Sequence, residues 1–193
     1  MKALMCVVLL AGVALQAAEL PAWWKALPRL SRLESEFIQE SESAVFGKLK
    51  KEGKIQLAKG GRLRVTYVKG MVLVADGIHL IQYDPMSMTA QRLSLNSATR
   101  VMPLLNILVD PAALERAYQI RAENADQVLL EPKWKDLPKV TVEGKAGLLK
   151  RVTWIDATGA KQVLELKTPR VPKKDFPPSL FTFKAPVGTR WIG

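Results

Sequence analysis

The chain has 193 residues, 48% of them hydrophobic, with 29 lysines and arginines against 18 aspartates and glutamates, one histidine and one cysteine. That is enough apolar material for one well-buried core and too little for two ordinary domains. A single histidine and a single cysteine exclude the usual zinc ligand sets and argue against a hydrolase built on a nucleophile and an imidazole base.

Met1-Lys2 puts one positive charge before an apolar run from Ala3 to Leu15, and the small residues Ala17 and Ala18 follow. This is the layout of a secretory signal peptide, too short to span a bilayer, which needs ~20 apolar residues. The expectation is removal of residues 1–18, leaving residues 19–193 as one soluble, exported domain. Cys6 lies within the apolar part rather than after it, so the mature chain is expected to carry no thiol and no lipid anchor. Without Lys2 the balance is 28 basic to 18 acidic residues, a net charge of +10, which favours an anionic partner or surface. The basic residues are scattered singly, no nucleic-acid motif interleaves them with aromatics, and export also argues against nucleic acid.

From Pro21 to about Ser43, Leu27, Leu30, Leu33 and Phe37 recur at spacings of three and four, with Arg29, Arg32, Glu34 and Glu36 between them. The spacing predicts an amphipathic helix, with Pro28 near its start where proline is tolerated. On such a helix Glu34 and Glu36, or Glu40 and Glu42, do not share a face and read as solvated.

Short β-rich segments follow at about 46–57, 62–68, 71–75, 78–84 and 88–95, separated by Gly60-Gly61, Lys69-Gly70, Asp76-Gly77 and Asp84-Pro85. They read as sequential hairpins of an antiparallel meander. Arg62 to Tyr67 alternates most clearly, with Leu63, Val65 and Tyr67 on one side. Between Met102 and Ala117 the period changes, and Asp110 as N-cap with Pro111 at the first helical position marks a helix start, so a helical interruption is expected here. Strands resume at about 118–123, 127–132, 139–142, 147–156 and 161–167 before a Pro- and Lys-rich tail. Ten or eleven strands in one sheet curl towards a barrel, and the striped helices belong across its mouth or inside it.

No residue pattern argues for catalysis. His79 sits in a predicted strand beside the Asp76-Gly77 turn and reads as structural. There is no phosphate-binding glycine loop, and neither a metal nor a cofactor is expected.

Phe37-Ile38-Gln39, the strand Gly47 to Leu57, the strand Leu63 to Tyr67, the run Val74-Ala75-Asp76-Gly77 through Leu80 to Tyr83-Asp84-Pro85, and the closing Phe181-Thr182-Phe183-Lys184-Ala185-Pro186-Val187-Gly188 together resemble the LolA-type outer-membrane lipoprotein carriers. The resemblance covers essentially the whole mature chain. It implies a mainly β fold, an unclosed antiparallel β-barrel of about eleven strands with a helical lid over an apolar cavity. It also implies a monomeric periplasmic carrier, not an enzyme, that takes acylated lipoproteins from an inner-membrane ATP-driven exporter and passes them to an outer-membrane lipoprotein receptor. The same fold serving another lipid or amphiphile through a dedicated exporter is the alternative. The family's basic latch residue, shortly before the turn that opens the strand holding Leu63, falls on Lys59 here. Lysine lacks the planar fork of arginine, so a latch made by it would act as a point charge. Val65 stands where the family often has tryptophan. Candidate cavity residues are Leu63, Val65, Tyr67, Leu80, Leu93, Leu95, Leu104, Leu105 and Leu108, with Leu33 and Phe37 from the first predicted helix; ordinary core is the rival reading for each. Met71, Met86, Met88 and Met102 could supply pliable packing, with gap-filling core as the commoner role.

Overall fold

The computed structural model describes residues 19–101, 107 and 114–192. The expected signal segment, the Asp110-Pro111 helix start and Met102 lie outside the described residues. Within them, twelve strands form one sheet in the order β12-β6-β5-β4-β3-β2-β1-β11-β10-β9-β8-β7. These are β1 (Arg32–Ser43), β2 (Gly47–Ala58), β3 (Arg62–Tyr67), β4 (Val72–Asp76), β5 (His79–Asp84), β6 (Thr89–Ser94), β7 (Tyr118–Ala122), β8 (Gln127–Pro132), β9 (Val140–Lys145), β10 (Leu148–Ile155), β11 (Lys161–Leu166) and β12 (Arg190–Ile192). Neighbours are antiparallel except β12, which runs parallel to β6. The sheet does not close, since β12 and β7 end it on either side. The helices are α1 (Ala22–Ala26), α2 (Leu95–Val101) and α3 (Leu114–Ala117), with a 3₁₀ turn at Leu27–Arg29.

The ten sequence-predicted strands are all present, but the first predicted helix is not. Helix α1 stops at Ala26, Pro28 sits in the 3₁₀ turn, and from Arg32 the chain is a twelve-residue strand. Leu33 and Phe37 therefore belong to β1, a correction with a clear physical cause. Along β1 the inward row is Leu33, Ser35, Phe37, Gln39 and Ser41, and the outward row is Glu34, Glu36, Ile38, Glu40 and Glu42. The outward carboxylates face a lysine row on β2, Glu36 opposite Lys54, Glu40 opposite Lys50 and Glu42 opposite Lys48. Opposite charges across a strand pair stabilise it, whereas a helix would scatter the same carboxylates. The acidic pairs thus share a strand face. Glu34 is not solvated but buried, held by Arg170 at 2.7 Å and Lys54 at 3.2 Å.

Period-two alternation sends one row of each strand to the concave face. The turn Lys59-Gly60-Gly61-Arg62 needs both glycines in the left-handed region, at φ 78° and 72°. Its neighbour is equally constrained, because the Gly60 carbonyl occupies the space a Cβ on Gly77 would need. The convex face of β3 to β6 is covered by the C-terminal segment. There Phe181 is buried, Phe183 packs on Tyr83 and Trp191, and Arg64 donates to the Leu180 carbonyl at 3.2 Å.

Candidate functional site

The concave face of the first half-sheet is built on one register row. Leu33, Leu57, Leu63, Ala75, Leu80 and Leu93 pair in succession across β1, β2, β3, β4, β5 and β6. Beside it run Ile55, Val65 and Leu73, and then Phe37, whose ring lies over Gly53 and meets Tyr67 edge-on at 5.2 Å. The other half contributes Val128, Leu130, Val140, Val142, Leu149, Val152, Leu164 and Leu166, all buried. These side chains form one contiguous apolar cluster.

The hollow is stoppered from within. Trp23, Trp24 and Leu27 of the N-terminal turn enter the same cluster, the two indoles T-stacked at 5.7 Å. Trp23 lies against Gly144, where no Cβ would fit, and donates its Nε1–H to the Ala125 carbonyl at 3.1 Å. Leu95, Ala98, Ile107 and Leu114 are buried in it as well. Leu95 and Ala98 belong to α2, which follows β6 beside one end of the sheet, and Leu114 opens α3, which leads into β7 at the other end.

Of the candidate cavity residues, Leu33, Phe37, Leu63, Val65, Leu80 and Leu95 are buried in this cluster, and Tyr67 and Leu93 pack against it half-buried. Leu95 heads α2 instead of ending a strand. Leu104, Leu105 and Leu108 lie outside the described residues. Lys59 is exposed on its turn, its backbone N–H bonded to the Ser31 carbonyl and its carbonyl accepting from Arg62 Nε, both at 2.9 Å. That turn is at the rim where α2 leaves the sheet, since Leu95 N–H bonds the Ile78 carbonyl of the adjacent turn.

Sequence reading missed the polar end of the hollow. The Tyr67 hydroxyl donates to Gln39 Oε1 at 2.8 Å, and Gln162 Nε2 donates to Ser41 Oγ at 2.7 Å and Asp156 Oδ2 at 2.8 Å. Lys51 stands 5.9 Å above the Tyr67 ring. Burial raises the Tyr67 pKa, so the phenol stays a neutral donor. The period-two count along β1 turns Gln39 and Ser41 inward, but their meeting with Gln162 depends on the register with β11. The second missed group is the Trp23-Trp24 stopper, an aromatic pair without periodicity around it.

His79 is on the convex face, 3.7 Å from Asp76, and no cluster of metal-ligating side chains occurs among the described residues. No helix among them is long and apolar enough to cross a membrane.

An open, largely antiparallel sheet wrapped round an apolar hollow, with helices packed into it, defines a lipoprotein-carrier-like fold. The model of the outer membrane lipoprotein carrier protein LolA matches residues 29–184, and the chain belongs to that family. An uncharacterized conserved protein from Thermus thermophilus has a similar structure, with a TM-score of 0.57 at 10% identity over 88% of this chain and 96% of that one. A LolA superfamily protein from Nitrosomonas europaea gives 0.49 at 10% identity, covering 84% and 96%. No curated protein matches the chain. At such identities the likeness is one of fold.

Proposed function

We propose that this protein is a periplasmic carrier that holds the acyl chains of lipoproteins against the Leu33-to-Leu93 row and shuttles them from the inner to the outer membrane. The observation that supports this best is the apolar concave face of an unclosed sheet, with Trp23, Trp24, Leu95 and Leu114 from the helices packed into it. In this reading residues 1–18 are the cleaved export signal, an ATP-driven inner-membrane exporter loads the carrier, and an outer-membrane lipoprotein receptor unloads it. Catalysis plays no part.

The energetics fit a carrier. Burying an acyl chain of about sixteen carbons gains on the order of 10 kcal/mol against water, at about 0.8 kcal/mol per methylene. The protein's own Trp23, Trp24, Leu95 and Leu114 pack into the concave face. Loading exchanges those contacts for lipid contacts, so only the difference is realised and cargo can leave again. In this reading Lys59, exposed on its turn at the rim where α2 departs, supplies the latch through main-chain acceptors.

Mass spectrometry of what co-purifies from the periplasm tests the reading. Triacylated lipoproteins are expected. Recovery of a different amphiphile alone would transfer the carrier role to that lipid, and failure to displace a fluorescent fatty-acid probe with any acylated ligand would end it.

A further inference from the structure

The hairpin turns at the two rims of the sheet differ in kind. At the rim where α2 leaves, the connections are Lys59-Gly60-Gly61, Asp76-Gly77-Ile78, Asn124-Ala125-Asp126 and Ala146-Gly147, and Ile78 is the one large apolar side chain among them that stands exposed. At the opposite rim nearly every connection carries an exposed apolar tip: Val45 and Phe46 between β1 and β2, Val68 between β3 and β4, Met86 between β5 and β6, and Trp134 between β8 and β9. Phe46 is 78% exposed and Met86 85%.

These tips alternate with lysine. Lys48, Lys50 and Lys51 follow Phe46, Lys69 follows Val68, and Lys133 and Lys135 flank Trp134. Of the nearby acids, Glu42 pairs with Lys48, Glu52 pairs with Lys50 and Asp136 is exposed, while Lys51, Lys69 and Lys135 have no acidic partner among the described residues. Asp84 accepts from the Met86 backbone and the Ser87 hydroxyl, and Asp156 accepts from Thr158, Ala160 and Gln162. Their turn hydrogen bonds hold both carboxyls below the usual range, so they stay ionised but bonded to their own loops.

We infer that this rim docks on an anionic lipid surface, the apolar tips entering the interface and the lysines lying at headgroup level. A protein partner would favour a contiguous apolar patch with lysine depleted from it. Separate apolar tips, all but Met86 with a lysine within three positions and including a tryptophan and a phenylalanine, suit the bilayer interface instead. The chain's +11 formal charge agrees in sign.

The test is sedimentation of the purified protein with vesicles of phosphatidylcholine alone or mixed with phosphatidylglycerol. Binding to the anionic vesicles, weakened by salt, is expected. The combined Phe46→Ser and Trp134→Ser variant should lower that partition about tenfold, while Ile78→Ser on the other rim leaves it unchanged. No sedimentation of the parent, or equal loss in Ile78→Ser, overturns the inference and leaves the tips to a protein partner. Probe displacement on the same proteins keeps the two proposals separate, because Phe46→Ser and Trp134→Ser do not touch the hollow. A parent that binds vesicles but no probe would fail as a carrier and still dock.

Discussion

Gly144 is a glycine because the Trp23 indole occupies the volume a side chain would take. Gly144→Ala should therefore unseat Trp23 or bend β9, lowering stability by about 1–3 kcal/mol in urea unfolding, the cost of overpacking; an unchanged midpoint would mean that Trp23 is not fixed there. Glu34 illustrates a second residue-scale balance. Burial pushes its pKa up, but hydrogen bonds from Arg170 and Lys54, with their charges, outweigh it and hold the carboxyl below its ordinary value. A lowered folded-state pKa means that the ion-pair contribution is present above the unfolded value and is lost as pH falls through the folded one. Glu34→Gln should cost about 1 kcal/mol at neutral pH, since the partners are partly exposed. That deficit should vanish in acid, and a gap that persisted there would assign it to packing. Tyr118 presents the reverse case. Its hydroxyl is buried with no hydrogen-bond partner among the described residues, and burial, helped by the Asp136 charge, pushes the phenol up to about 12. Tyr118→Phe should raise stability by about 1 kcal/mol in the same assay, because an unpaired buried donor is removed.

At the scale of elements, legibility followed the chemistry of the inward row. Strands such as β3, β8 and β11 show their alternation because apolar residues fill every inward position over part of their length, and turn residues such as Gly60-Gly61 bound them. Strand β1 hid its period because Ser35, Gln39 and Ser41 stand inward, leaving Leu27, Leu30, Leu33 and Phe37 to imitate a helical stripe across a Pro28 break. Strand β12 was missed because it has three residues and gains its identity only from β6. The candidate site was readable for the same reason: Leu33, Leu63, Leu80 and Leu93 share one register row, and the first was found despite the wrong element. The polar end at Gln39 and Gln162 was not, since register with β11 and not local pattern brings those groups together. The turn holding Lys59 belongs to this scale too. Its backbone is already tied to Ser31 and Arg62, while its side chain is exposed. If that side chain supplies the latch, Lys59→Leu should change the rate of cargo uptake with the unfolding midpoint kept within about 0.5 kcal/mol. Unaltered uptake would leave Lys59 as a solvated turn residue.

The molecule as a whole carries apolar groups on both faces of one sheet, and the two faces have different covers. The concave face holds the hollow and its stopper. The convex face of β3 to β6 presents Val74, Ile81, Tyr83 and Ala90, buried under the C-terminal strap through Phe181 and the Tyr83–Phe183–Trp191 stack. The strap also protects part of an edge, because β12 pairs with β6 along Thr89, Ala90 and Gln91. Cover on the convex side frees the concave side from being the only source of stability, which a carrier with an exchangeable interior requires. A chain ending at Asp175 should accordingly lose at least about 3 kcal/mol, the scale for one buried aromatic, and its bare β6 edge should promote association. The two losses separate by adding Phe181→Ala in the full-length protein, which uncovers the face and keeps the edge paired. That variant should lose stability by a similar amount and stay monomeric, whereas the truncated chain should also aggregate. Equal aggregation by both would show that the exposed face, and not the open edge, drives association.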